Sequence, residues 1–524
     1  MKELVYSRLL LPAVEVHADK LAFFDGDYEN TYAGHGDRVL RLAHAMRHEL
    51  GMEPDDRFAV MALNSHEFLE LYHAGFLGAG LVNPLNLRLA RAELQHILRD
   101  SGTKVLFVDA MFAEHLVGAV DEVRDELAID HVVLIGDSSA DVPRDLVYED
   151  LVVAGEPVVP AERDEDDPVV LMYTGGTTGL PKGVLLDQRA EMLNLYHAII
   201  GLGLPSHRTF LHQTPMFHAA SMSAILGIPA VGAKSVFIPM FEPAGVLDLV
   251  ERHGVSQTVM VPIMISMLLD HPEYRPERLE SLEVLTYGAS PMPEALLARV
   301  LDELPWVELS QGYGMTESSA VLTLLTDEDH RRGGEAQHSA GRAVMGVRLS
   351  IRDPAGNAVP TGEVGEVCAQ AGNLMRGYWD DPAATAEAMR GGWYHTGDEG
   401  RLDADGYLYL VDRLKDMIVS GGENVYSIEV EQALSSHPAV DQVAVIGIPD
   451  DQWGEAVHAI VVLHAGASVS VEGLLDWARS RIAGYKLPKS IELRSEPLPL
   501  SGALKPLKRL LREPFWAGRE RQVN

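Results

Sequence analysis

The chain has 524 residues, 47% of them hydrophobic and 23% charged, with 77 acidic side chains against 43 basic ones. That length exceeds what one core supports, so more than one domain is expected. The net charge of −34 argues against a general nucleic-acid-binding surface and against adhesion to anionic membranes, and the single cysteine, Cys368, excludes an intramolecular disulfide or a multi-cysteine metal site.

No stretch approaches the roughly 18 uninterrupted apolar residues of a spanning helix. Met1-Lys2-Glu3 leads into a mixed segment, so a cytoplasmic protein with no integral membrane segment is expected. Val39, Leu42, Ala43, Met46 and Leu50 recur at helical spacing and stop at Gly51. Phe58–Leu63 reads as a strand, and Asn64-Ser65 caps a helix running through His73. Short apolar strands separated by polar helical stretches return at Val105–Asp109, Val132–Gly136, Val169–Met172, Ser235–Pro239, Thr258–Val261, Leu282–Tyr287 and Val307–Leu309. This alternation predicts parallel sheets covered by helices. Cys368 alternates with apolar residues in Val364–Ala369 and reads as a small core residue. Past residue 400 the texture changes: Asp403–Leu410 looks like a turn and a strand, Asp412–Asp416 is a charged joint, and a smaller α+β region follows. The expected architecture is α/β, with a large N-terminal domain of several subdomains over 1–412 and a small mobile α+β C-terminal domain over 413–524.

Tyr173–Gly183, Tyr-Thr-Gly-Gly-Thr-Thr-Gly-Leu-Pro-Lys-Gly, follows the Val169–Met172 strand. Gly175, Gly176 and Gly179 let backbone amides approach an anion closely, Thr174, Thr177 and Thr178 add hydroxyl donors, and Lys182 adds a positive charge. This is a phosphate cradle, although Leu180-Pro181 before Lys182 breaks the Gly-Lys-Ser/Thr pattern of the P-loop.

On these residues the chain resembles the AMP-forming adenylating enzymes, the superfamily of acyl-CoA synthetases, adenylation domains and luciferases, and it is most similar to bacterial fatty- or cyclic-acid CoA ligases. The similarity extends over roughly residues 20–515, with further motifs in family order. Gln311-Gly312-Tyr313-Gly314-Met315-Thr316-Glu317 meets the family's Tyr-Gly-x-Thr-Glu: Tyr313 offers a ring face to adenine, Thr316 a hydroxyl to a phosphate oxygen and Glu317 a hard oxygen to Mg²⁺. Tyr287-Gly288-Ala289-Ser290-Pro291 follows a strand, and the resemblance implies that Gly288, Ala289 and Ser290 pack against adenine. Asp398, in Trp393–Asp398, matches the aspartate that holds both ribose hydroxyls, and Arg413 matches a second ribose contact.

In Thr214–Ser221 the residues alone leave His218 open between a core histidine and a ligand contact. The resemblance favours the mouth of an acyl pocket, with Ala219, Ala220, Ser221, Met222, Val261 and Met264 as its wall. Small and flexible side chains there suit a medium- or long-chain or bulky cyclic acid. Lys415 aligns with the family's hinge, and Gly421-Gly422 with the loop that meets pantetheine of CoA. Leu498–Lys505 resembles the terminal motif and makes Lys505 the adenylation lysine. Leu504 stands where the family has glycine, and a left-handed backbone there would be strained by leucine.

The implied reaction joins a small-molecule carboxylic acid to CoA, with ATP and Mg²⁺. Transfer to a carrier-protein thiol or an amine, luciferase-type oxygenation, and a non-catalytic nucleotide-binding relative share these motifs and stay open at this point. A homodimer is admitted by the sequence but not required by it.

Overall fold

The computed structural model describes residues 4–121, 123–136, 144–160, 163–174, 181–290, 292–413, 416–420, 423–450, 453–500 and 506–517. Two large sheets dominate them, and in both the central strands are parallel. Runs such as Val105–Asp109 are apolar on both faces because helices cover both faces. One sheet has nine strands among the described residues. Its parallel centre runs in the spatial order Glu308–Tyr313, Val284–Gly288, Gln257–Met260, Thr209–His212, Lys234–Phe237 and Leu21–Asp25, with antiparallel strands at both edges. The other has eight. Pro168–Thr174, Leu81–Pro84, Arg57–Met61, Val105–Asp109 and His131–Ile135 are parallel neighbours, and Lys182–Asp187 returns antiparallel on Pro168–Thr174.

The two sheets share one apolar core. Phe23 comes from the nine-stranded sheet, Phe58 and Val170 from the eight-stranded one, and Leu42, Tyr72 and Met222 from helices between them. The helix Tyr32–His48 carries the expected stripe as far as Met46, with Val39, Leu42, Ala43 and Met46 buried as that spacing requires, and ends two residues before Leu50. The helix His66–Ala74 is capped by Ser65, whose hydroxyl accepts the Phe68 amide at 3.3 Å.

A four-stranded antiparallel sheet follows, ordered Arg348–Arg352, Gly365–Gln370, Tyr394–Leu402 and Leu408–Arg413. The last strand runs two residues into the charged joint, because Arg413 pairs with Asp398 and Asp412 with Glu399. The smaller C-terminal region has a mainly antiparallel sheet built on the long pair Val440–Asp450 and Gly454–Leu463, with its own core of Ile418, Val430, Leu434, Val445 and Val461. Its final helix, Lys508–Trp516, seats Leu511 against Ala444, Ile446 and Ile460. Arg512 of that helix pairs with Asp416 at 3.0 Å, tying it to the segment just after Lys415. Among the described residues no helix is long and apolar enough to cross a membrane.

Candidate active site

The parallel strands of both sheets end at one cleft of about 2610 Å³, to whose lining the C-terminal region also contributes. Strand carboxyl ends present loops and backbone amides there, which is where open α/β sheets bind ligands.

From the eight-stranded sheet come Thr174 and Lys182, paired across the hairpin that carries the glycine-rich loop. Gly175, Gly176, Thr177, Thr178 and Gly179 lie outside the described residues. The hairpin is fixed at its base: the Tyr173 hydroxyl donates to Asp100 Oδ2 at 2.6 Å, and His96 Nε2 meets the Pro181 carbonyl at 3.1 Å. Lys182 is only half-covered. Its ammonium lies 3.6 Å from Asp381 and 5.5 Å from the centre of the Tyr378 ring.

The nine-stranded sheet contributes Ala289, Ser290, Tyr313, Gly314, Thr316 and Glu317. Gly288 sits just behind, paired with Gly312 on the neighbouring strand. A Cβ on Gly288 would fall 2.5 Å from the Gly312 carbonyl oxygen, and one on Gly314 would fall 2.0 Å from that of Ala320. The backbone at these two positions is therefore packed too closely against neighbouring backbone for side chains. Ala289 turns out of the strand at φ 68, and Ser319 and Ala320 also take positive φ just after Glu317.

Two carboxylates are held at the cleft by phenols remote in sequence. The Tyr313 hydroxyl donates to Asp398 Oδ2 at 2.9 Å, and the Tyr378 hydroxyl donates to Glu317 Oε1 at 3.0 Å. The turn carrying Glu317 is braced through its backbone: the Met375 amide donates to the Glu317 carbonyl at 2.8 Å, and Asn373 Nδ2 donates to the carbonyls of Ser318 and Val321, each at 2.8 Å. Burial, with the Glu317 charge beside it, pushes the Tyr378 phenol well above its ordinary value, so it stays a donor at any working pH. The Asp398 amide donates to Thr396 Oγ1 at 3.1 Å, and Thr396 in turn donates to the Val367 carbonyl at 2.8 Å. Neither Tyr378 nor Thr396 stands out in the sequence; the Gly-Tyr dipeptide at 377–378 is the one local signal for the former.

These groups fit Mg²⁺ and ATP. A half-buried phenol holds one oxygen of a hard carboxylate in place, a second carboxylate stands where two hydroxyls could be gripped, and Lys182 supplies local positive charge in an acidic chain.

His218 lines the cleft and packs on Phe217, ring centres 4.5 Å apart. The six expected wall residues do not line it. Ala219 and Met222 are buried in the shared core with Met216 and Ile225, and Val261 and Met264 in a second core beside Tyr287. Ser221 turns its hydroxyl to the Pro215 carbonyl at 3.0 Å, and Ala220 is exposed. The Arg413 backbone pairs with Asp398, whereas Lys415, Gly421, Gly422, Leu504 and Lys505 lie outside the described residues. The final helix nevertheless brings Lys508 and Arg512 to the cleft. There Lys508 is engaged by Glu431 at 2.7 Å and by the Ser427 hydroxyl at 2.6 Å.

The family described as AMP-binding enzyme matches residues 12–379, and the AMP-binding enzyme C-terminal domain matches residues 429–505. A feruloyl-CoA synthase of Amycolatopsis sp. is 39% identical over 488 residues, covering 93% of this chain and 94% of that one. A medium/long-chain-fatty-acid–CoA ligase of Mycobacterium tuberculosis, FadD8, is 34% identical over 526 residues, covering 98% and 91%. Among solved structures, the o-succinylbenzoate CoA synthetase of Bacillus subtilis in complex with its acyl-adenylate superposes with a TM-score of 0.84 at 28% identity, covering 96% of this chain and 97% of that one. A match of this extent, over a cleft with this chemistry, means that the chain belongs to the AMP-binding enzyme family: it is an AMP-forming acyl-CoA ligase that works on a small-molecule carboxylic acid with ATP, Mg²⁺ and CoA.

Proposed function

We propose that the chain runs both half-reactions in this one cleft, on a medium- or long-chain or bulky cyclic acid, in the cytoplasm. The carrying observation is the pair of phenol-held carboxylates, Glu317 and Asp398, lining one cleft with the half-exposed Lys182. In the first step a carboxylate oxygen of the substrate attacks the α-phosphorus of ATP, and the bond to pyrophosphate breaks. Asp398 grips the ribose hydroxyls with Arg413 as its neighbour, while Gly288, Ala289, Ser290 and the Tyr313 ring hold adenine. The 174–182 hairpin and Thr316 hold phosphate oxygens. Mg²⁺ on Glu317 would neutralise oxygen charge as pyrophosphate leaves. Lys505 bridges the acid and the α-phosphate, where negative charge builds up.

Residues 413–524 form the lid and turn about Lys415. Rotation withdraws Lys505 and presents Gly421-Gly422, so that the CoA sulfur attacks the acyl carbon, AMP departs and the thiol proton goes to solvent. Phe217 and His218 border the acyl end of the cleft, ahead of the Ala219–Met222, Val261 and Met264 region. The choice of acid is supported by the feruloyl- and fatty-acid-CoA ligases to which the chain is similar.

The test is a panel of carboxylic acids with ATP, Mg²⁺ and CoA, read by mass for AMP and thioester. Thioester formed with AMP on an aromatic or longer-chain acid is the expected result. ADP and inorganic phosphate, or bound nucleotide without turnover, would refute the reading. Product only with a carrier protein or an amine would move the acceptor.

A further inference from the structure

Glu366, Cys368 and His395 meet between the strands Gly365–Gln370 and Tyr394–Leu402, where the register sets Cys368 opposite His395. Cys368 Sγ lies 3.3 Å from His395 Nδ1, and Glu366 Oε2 lies 2.6 Å from the same nitrogen. One donor atom from each residue falls within 4.8 Å of the others. The cluster is largely shielded: Cys368 is fully buried, and the side chains of His395 and Glu366 are 6% and 12% exposed. Glu366 and His395 also line the cleft, so an ion has a path in.

We propose that these three residues form a binding site for a thiophilic divalent cation of the Zn²⁺ type, and that filling it weakens ATP binding. A thiolate, an imidazole and a carboxylate are the donor types Zn²⁺ takes, with the cleft side left for a water. Tetrahedral Zn²⁺, with bonds of about 2.0–2.3 Å, holds its ligand atoms roughly 3.3–3.6 Å apart. The sulfur–nitrogen separation already matches, and the carboxylate has to withdraw by less than about 1 Å. Arg390, which donates to Glu366 Oε2 at 2.9 Å, must also yield. Its side chain is 43% exposed, so the guanidinium can turn to water when Glu366 moves.

Protons balance as follows. Burial, with the Glu366 charge adding to it, pushes the Cys368 thiol up to about 12, so the resting site carries S–H. On metal entry the thiol proton leaves to solvent, and His395 holds the ion through an unprotonated Nδ1. Glu366 Oε1 also accepts the Gly397 amide at 3.2 Å, and His395 stands three residues before Asp398 on one strand. Drawing Glu366 and His395 onto an ion therefore shifts the turn that presents Asp398. This effect on ATP rests on the reading of Asp398 given above; ion binding does not.

Because Cys368 is the only cysteine in the chain, any thiolate-to-metal charge-transfer band reports this site alone. Titrating the full-length protein with Co²⁺ should produce that band at one ion per chain, and Zn²⁺ should abolish it. Cys368→Ser should remove the band and weaken Zn²⁺ binding at least tenfold against a chromophoric chelator. With Zn²⁺ the KM for ATP should rise several-fold in the unmodified chain and not in the variant. No band in the unmodified chain, or equal Zn²⁺ affinity in Cys368→Ser, overturns the site. A band without any change in KM keeps the site and refutes its coupling to Asp398. Acid-dependent pyrophosphate exchange in metal-stripped protein resupplied with Mg²⁺ checks the proposed function separately.

Discussion

The two sheets that meet at the cleft bring opposite chemistry and hold it differently. The nine-stranded sheet and the antiparallel sheet beside it offer two carboxylates, each fixed by a phenol: Asp398 by Tyr313 of the nine-stranded sheet, and Glu317 by Tyr378 on the edge strand Gly377–Tyr378 of the eight-stranded sheet. The eight-stranded sheet also offers cationic chemistry on the 174–182 hairpin, with Lys182 47% exposed and 3.6 Å from Asp381. Groups that bind the unchanging nucleoside and a metal gain from being held still. Groups that must follow a departing pyrophosphate gain from reach, which a long half-exposed lysine supplies.

This contrast can be broken most sharply at the cationic end. Lys505→Ala should cut acid-dependent pyrophosphate exchange by on the order of 10²–10³-fold, the size of losing a donor to developing charge, while largely sparing thioester formation from a supplied acyl-adenylate. Equal loss of both steps would remove the division of labour. On the fixed side, Asp398→Ala deletes charge-assisted hydrogen bonds worth about 1.5–3 kcal/mol, so the KM for ATP should rise about 10- to 100-fold with a smaller change in kcat. Tyr378→Phe removes one hydrogen bond from Glu317, worth about 0.5–1.5 kcal/mol, and should raise the Mg²⁺ concentration for half-maximal rate by roughly two- to tenfold. An unchanged Mg²⁺ requirement would mean that Glu317 is not held for the metal.

A last expectation concerns stability rather than turnover and centres on Glu191, fully buried on the helix Gln188–Leu202. Burial, with Asp187 adding to it, pushes its pKa up to about 8 against the weaker pull of Asn194 and Ser319. The native chain therefore holds this proton more tightly than the unfolded chain does. Its contribution to stability is complete below the ordinary value of 4.5 and is lost as pH rises to about 8, at about 1.4 kcal/mol per pH unit. Below about pH 6.5 the buried His73 and His212, held down to about 4 and about 3, act in the opposite sense, so the clean window lies above it. Glu191→Gln should flatten the fall in thermal midpoint between about pH 6.5 and about pH 8. An unaltered slope would place the titration elsewhere.

The motifs were legible because phosphate, ribose and metal each demand particular residue types within a few positions of one another. Thr174, Lys182, Tyr313, Thr316, Glu317 and Asp398 do reach one cleft. The parallel sheets were legible for a related reason: strands buried on both faces are largely apolar, and Val105–Asp109 is where that pattern predicts it, while Gln257–Met260 lies one residue ahead of the expected Thr258–Val261. The six wall residues were less so. Small and flexible side chains describe a pocket lining and a packed core equally well, and Met222 and Met264 are found in cores.

What the sequence determined by itself is the chemistry of each loop and the order of the loops, since both depend on residue type and local spacing. Tertiary structure alone decided the partners: Tyr313 with Asp398 across 85 positions, Tyr378 with Glu317 across 61, and Cys368 with His395 across 27. A hydrogen bond or a ligand set depends on distance in space. No periodicity along the chain encodes which strands lie side by side, so those pairings emerge only once the sheets have formed.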